Sequence, residues 1–144
     1  MRVLVQRSGQ ASVAIDKKIG GKIDDGLVLF VGFTEGDTIE EINYLVKKIL
    51  HLRIFPDENG VMNKSILDYG GSILSVSQFT LYADTTRGNR PSYIGAMKGE
   101  KAVELYRLFN KELKKCITVE TGEFGADMIV SISNIGPTTI LLER

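Results

Sequence analysis

The stretch Leu27-Val28-Leu29-Phe30-Val31-Gly32-Phe33 decides the fold of this chain of 144 residues. It is a continuous apolar run bounded by glycines, and no polar side chain interrupts it. A run of this kind is typical of a strand that is covered on both faces. We therefore expect it to lie at the centre of a sheet.

Other strand patterns cluster at the two ends of the chain. Alternating residues at 3–6 and two short segments at 12–15 and 19–23, with turn residues between them, predict a β-meander before the central strand. Further strands are predicted at residues 72–79, 116–121, 127–134 and 138–142.

Two long helices complete the pattern. Thr38-Ile39-Glu40-Glu41 has the Thr-x-x-Glu form of a capping box, and apolar residues at helical spacing follow it. A second amphipathic helix is predicted between about residues 98 and 115. Because the helices do not alternate with the strands, a parallel doubly wound sheet is disfavoured. The prediction is an α+β fold of largely antiparallel β-sheet layers with the two long helices packed on one face, as a single domain over residues 1–144.

The charge balance limits the partners that the chain can have. Lys+Arg and Asp+Glu number 18 each, so the net charge argues against coating DNA or RNA through bulk positive charge, although a local basic patch remains possible. Cys116 is the only cysteine, which fits a reducing compartment. The N-terminus turns polar too early for a signal peptide. We expect a cytoplasmic protein that does not enter a membrane.

The usual side-chain catalysts are scarce. His51 is the only histidine, and its place near a helix end favours a capping or surface role. We expect Cys116, which begins a predicted strand, to be a buried structural thiol. No spacing of ligands predicts a metal site, and no glycine pattern predicts a phosphate loop, so we expect no cofactor. If the protein is an enzyme, it works through backbone amides, hydroxyls and substrate positioning.

Two segments interrupt the strand pattern, namely Ser77-Gln78-Phe79-Thr80-Leu81 and Asn134-Ile135-Gly136-Pro137-Thr138-Thr139. Proline removes a donor from a sheet ladder, and glycine adds backbone freedom where a strand does not need it. Both segments resemble the signatures of the D-aminoacyl-tRNA deacylases, Ser-Gln-x-x-Leu and Asn-x-Gly-Pro-x-Thr. Two departures are visible, since Thr138 stands where Val is usual and Ile135 where Asp is common.

The resemblance implies a homodimer that hydrolyses the ester between a D-amino acid and the 3′ end of tRNA. Glycyl-tRNA is a further implied substrate. In this family the Gly-Pro peptide is cis and enters the pocket of the other subunit, which assigns Gly136 and Pro137 to substrate binding. Rigid carbonyls would hold the substrate ammonium, and a wall beside the α-carbon would exclude an L side chain.

The first motif is assigned to catalysis by the same resemblance. Backbone amides around Phe79 and Thr80 would stabilise the charge that develops on the carbonyl oxygen, and the side chain of Gln78 would hold the geometry. Thr80 has two interpretations, a nucleophile or a hydroxyl that lines the pocket. We favour attack by water assisted by the terminal ribose hydroxyl, because threonine without a base is a poor nucleophile.

Other residues have supporting roles in this interpretation. Ser77 and Met128 would line the pocket, and Arg7 would fix the Gly-Pro segment. Basic residues of the polar loop and of the start of the second helix would contact the phosphates of the RNA, namely Arg87, Arg90, Lys98 and Lys101.

Two alternatives stay open from the sequence. One is a related deacylase with a trans Gly-Pro bond that acts on mischarged L-aminoacyl-tRNA, although that relative usually lacks the Ser-Gln form. The other is a module that binds an RNA end or a small ligand without turnover.

Overall fold

A computed structural model describes residues 1–144 and confirms the predicted α+β fold, with eight strands, three α-helices and one 3₁₀ turn. The strands are β1 (Arg2–Ile15), β2 (Lys18–Ile23), β3 (Gly26–Gly32), β4 (Phe55–Pro56), β5 (Met62–Lys64), β6 (Ser72–Ser77), β7 (Val119–Thr121) and β8 (Ile129–Glu143). The helices are α1 (Ile39–His51), α2 (Ile66–Tyr69) and α3 (Gly99–Lys114), and the 3₁₀ turn is Phe79–Tyr82.

The main sheet curves into a nearly closed barrel. One edge of β1 pairs antiparallel with β3 through residues 2–8 and with β2 through residues 11–15. From β3 the sheet continues in parallel to β6 and β7, and β7 returns toward β2, where Gly21 packs on Thr121. The central position predicted for β3 is confirmed, since it lies between β1 and β6 and its side chains are almost all buried.

Strand β8 lies outside this barrel. It pairs with the other edge of β1 along nearly its whole length and has no second neighbour. Its outer edge therefore presents unpaired backbone groups over 15 residues.

The core has two parts, one on each face of the sheet. Inside the barrel lies a small cluster of six buried side chains, and on the outer face a cluster of 22 buried residues joins the sheet to the helices. Both long helices pack on this outer face, as predicted. The capping box at Thr38 is present, and the apolar stripe of α1 is buried. No helix of the protein is both long enough and apolar enough to cross a bilayer.

Three predictions about local structure were wrong. Residues 3–6 and 12–15 are parts of one strand, β1, which pairs with β8 along nearly its whole length. Cys116 is exposed rather than buried, because its amide bonds back to the Leu113 carbonyl and so extends the end of α3, and β7 begins only at Val119. Residues 127–134 and 138–142 are one strand instead of two, since β8 resumes pairing with β1 beyond the Gly-Pro segment. His51 is exposed at the end of α1, as predicted.

Candidate active site

A cavity of about 640 Å³ opens where β3 and β6 end, beneath the start of α3. Most of its wall is apolar, and its polar residues come mainly from the first motif and from the segment before β8. The structure brings four of the predicted site residues together in this wall, namely Ser77, Gln78, Phe79 and Met128.

The first motif reaches the cavity because the chain leaves β6 sharply. The amide of Gln78 still donates to the Val31 carbonyl of β3 at 2.7 Å, and the 3₁₀ turn begins at the next residue. The first amides of such a turn have no acceptor within it. No acceptor elsewhere takes the amides of Phe79 and Thr80, so both donors are free, and of these two residues Phe79 lines the cavity.

Thr80 lies just behind this wall. The side-chain amide of Gln78 donates to the Thr80 hydroxyl oxygen at 2.5 Å, and Thr80 itself is not among the lining residues. Its hydroxyl donates to no base. The arrangement holds Gln78 and Thr80 in a fixed relation but does not activate the hydroxyl as a nucleophile.

The charged groups around the cavity are few. Its wall contains one amine, Lys98, and one carboxylate, Asp127, and both side chains are exposed. At the last residue of the 3₁₀ turn, burial raises the pKa of Tyr82 to about 12, with Asp37 acting in the same direction. Tyr82 is thus a neutral phenol near pH 7, which leaves Asp127 as the one carboxylate in the cavity wall.

An aromatic pair and a polar loop form the mouth of the cavity. The ring of Phe79 is 57% exposed and meets Tyr93 edge to face, with 5.0 Å between centroids. Backbone hydrogen bonds between Asp84 and Ser92 close the predicted exposed loop at its base. Hydrogen bonds from Thr86 lower the pKa of Asp84, which keeps that carboxylate ionised as a turn acceptor.

The second motif is a wide bulge on β8. Between the pairs Gln6–Thr139 and Ser8–Asn134, β1 advances two residues while β8 advances five. The additional residues of β8 leave the ladder, and Ile135, Gly136 and Pro137 are exposed. The Gly136–Pro137 peptide bond is cis, and Gly136 has φ +115°.

Three side chains tie this bulge to the sheet. The guanidinium of Arg7 donates to the Ile135 carbonyl at 3.3 Å and to the Ile54 carbonyl at 2.6 Å. Across the neck, the Asn134 amide donates to the Thr139 hydroxyl at 3.1 Å. Asn134 and Thr139 are the two ends of the Asn-x-Gly-Pro-x-Thr motif, so the motif encodes a clamp at the base of the bulge.

Arg7, Gly136 and Pro137 do not line the cavity of their own chain. The predicted site residues therefore form two groups, one at the cavity and one at the bulge. The clamp residues Asn134 and Thr139 were missed as individual sites, although their fixed positions in the motif were the signal that could have identified them.

Known proteins share the sequence pattern and the fold of this chain. A sequence model of the family described as D-Tyr-tRNA(Tyr) deacylase matches residues 4–143. A solved structure titled "c-Myc DNA Unwinding Element Binding Protein" is 40% identical, with a TM-score of 0.95 over 100% of this chain and 99% of that chain. Another, titled "Structural Analysis of a probable eukaryotic D-amino acid tRNA deacylase", shares the fold at 18% identity, with a TM-score of 0.84 over 98% of this chain and 97% of that one.

Proposed function

The chain belongs to the D-Tyr-tRNA(Tyr) deacylase family, and from this premise we propose that it hydrolyses the ester of D-aminoacyl-tRNA to free D-amino acid and tRNA. Water adds to the ester carbonyl, the bond to the ribose oxygen breaks, and that oxygen takes up a proton as the carboxylic acid is released. The observation that carries this proposal is the cavity lined in part by the first motif, with Phe79, whose backbone amide is free, in its wall and Thr80, whose amide is also free, directly behind it.

The amides of Phe79 and Thr80 are the donors that would meet the developing oxyanion. Removing one well-placed donor of this kind costs about 10²–10³ in rate in characterised hydrolases. The attacking water would be assisted by the neighbouring ribose hydroxyl of the substrate, because the Thr80 hydroxyl has no base beside it and the one carboxylate of the cavity wall, Asp127, is exposed. Gln78 positions the turn through its hydrogen bond to Thr80.

Selection against L-amino acids is assigned to the Gly136-Pro137 segment. In this proposal its carbonyls bind the substrate ammonium, and its backbone leaves no room for an L side chain beside the α-carbon. Glycyl-tRNA, which lacks a side chain, would then be a further substrate. The exposure of the segment and its attachment by Arg7 support this role.

A second copy of the chain is the proposed source of that segment. The bulge lies on β8, whose outer edge is unpaired, and an unpaired edge of 15 residues is a surface that proteins usually cover. A homodimer in which each copy inserts Gly136-Pro137 into the other's cavity would complete two sites.

The test is incubation of the protein with D-tyrosyl-tRNA, L-tyrosyl-tRNA and glycyl-tRNA, with free amino acid measured over time against a reaction without protein. The expected result is rapid release from the D ester and from glycyl-tRNA, with the L ester at its spontaneous rate. Release from the L ester alone would establish the related deacylase of mischarged L-aminoacyl-tRNA. Binding of tRNA without release of any amino acid would establish a non-catalytic binding module.

A further inference from the structure

A second cavity, of about 520 Å³, lies directly beside the first. We call it the α3 groove. One wall is the exposed face of α3, with Arg107, Lys111 and Lys114, and the other is the turn that follows β7, from Thr121 to Phe124. Phe124 lines both cavities, so the two cavities adjoin at this side chain.

Three cations line the groove without partners. Arg107, Lys111 and Lys114 are exposed, and none of them forms an ion pair, although other surface lysines such as Lys101 and Lys115 do. Glu123 is the only acidic residue of the groove. In a chain whose net charge is zero, this face of α3 is a local excess of positive charge.

The cations form a line that begins near the first cavity. At a rise of about 1.5 Å per helical residue, Arg107 lies about 12 Å along α3 from Gly99, which lines that cavity. Lys111 and Lys114 follow about 6 Å and 10 Å further along the helix than Arg107. Cations spaced along a helix in this way can contact a series of anionic groups, whereas a single compact anion would need them clustered around one point.

We propose that the α3 groove binds the phosphates that precede the 3′-terminal nucleotide of the tRNA acceptor strand. The inference rests on the proposed function, because it is the ester at the RNA end in the first cavity that directs the strand past Phe124 into the groove. Contacts of lysine and arginine to phosphates give affinity that does not depend on the nucleotide sequence, so the groove would bind tRNAs whatever amino acid they accept.

The decisive variant is Lys111→Gln/Lys114→Gln, and its matched control is Lys47→Gln/Lys48→Gln, which removes the same charge from exposed positions of α1. With D-tyrosyl-tRNA, the groove variant should show a KM raised at least fivefold with kcat unchanged. Its salt dependence should also weaken, since each lost phosphate contact lowers the slope of log affinity against log salt by about 0.7 for a single strand. Arg107→Gln should act in the same direction.

Two further measurements separate this inference from the proposed function. D-tyrosyl-adenosine carries no phosphate, so the groove variant should hydrolyse it as the wild type does. Uncharged tRNA should bind the groove variant more weakly than the control variant in a fluorescence anisotropy titration, and this arm needs no catalysis. If the wild type hydrolyses no aminoacyl-tRNA, the proposed function fails, and this titration alone decides the groove.

The inference is overturned if the groove and control variants have equal KM and equal affinity for tRNA. It is also overturned if the groove variant loses affinity only for a duplex DNA of the same length, because the groove would then serve a different nucleic acid. A loss of kcat on D-tyrosyl-adenosine would show that the substitutions disturb the first cavity instead.

Discussion

Replacing Gly136 by alanine should separate the role of the bulge from the stability of the fold. A Cβ at this position would lie 2.7 Å from the Thr138 hydroxyl oxygen, 2.9 Å from a guanidinium nitrogen of Arg7 and 2.9 Å from the Thr138 amide nitrogen. The two side-chain atoms can move, but the amide nitrogen is backbone. Moreover, φ +115° at Gly136 is a conformation that L residues rarely adopt.

The strain of such a residue is about 1–3 kcal/mol. The bulge is exposed and outside the β1–β8 ladder, so the segment can shift without opening the core. Because 1 kcal/mol lowers the Tm of a domain of about this size by about 2–4 °C, we expect a modest decrease in Tm. A displacement of about 1 Å in a positioning element can cost about 10²-fold in rate, so kcat/KM for D-tyrosyl-tRNA should fall by that order.

Two other glycines provide matched controls for this variant. Gly9→Ala makes the same chemical change in β1, where the new Cβ would lie 3.7 Å from side-chain atoms of Ser133 and Ile135, which is an ordinary contact distance at the edge of the bulge. Gly60→Ala introduces a residue at φ +77° in an open turn far from either motif. Thermal unfolding followed by circular dichroism and deacylation kinetics should show reduced stability without reduced activity for Gly60→Ala. Wild-type kinetics and Tm for Gly136→Ala would refute the reasoning.

Three further predictions follow from single hydroxyl groups. Thr80→Ala should keep kcat within about tenfold, because no base activates this hydroxyl, and a loss of 10³ or more in single-turnover kinetics would make Thr80 the nucleophile. Thr139→Val removes the acceptor of the Asn134 amide at the neck of the bulge, so kcat/KM for the D ester should fall. Thr138→Val is the control, because it removes a hydroxyl that forms no hydrogen bond, and it should leave kcat/KM unchanged. Equal kinetics of the two variants would contradict the clamp. Tyr82 keeps its proton to about pH 12 in the folded state but loses it near pH 10 in the unfolded state. The stability of the wild type should therefore decline relative to that of Tyr82→Phe as the pH rises from 10 to 12. Parallel curves of Tm against pH for the two proteins would contradict this prediction.

The sequence predicted well those features that depend on local patterns. The apolar run of β3 could only be buried on both faces, and the capping box at Thr38 fixed the start of α1. A strand was also predicted to lead into the first motif, and β6 does so, although it ends at Ser77 rather than at residue 79. In each case the determining residues are neighbours in the chain.

Features that depend on a partner strand were less predictable. The Gly136-Pro137 interruption divides the pattern of β8 in two, and a single sequence does not reveal that β1 pairs with both parts. Cys116 was misplaced for a related reason, because whether residues after α3 extend the helix or begin a strand depends on where β7 meets β6. The long-range bonds of Arg7 to Ile135 and Ile54 have no local signal at all.

The separation of the two motifs explains why the family signature has two parts. The first motif ends β6 and the second lies on β8, with β1 and β3 between them, which is three strand spacings or about 14 Å along the sheet. The ladder pairs on either side of the bulge fix it to β1, so it does not reach the cavity of its own chain without loss of those pairs. In the proposed homodimer, a substrate held by both motifs would contact two copies of the chain, and selection on the two signatures would act on a contact between chains rather than on a contact within one.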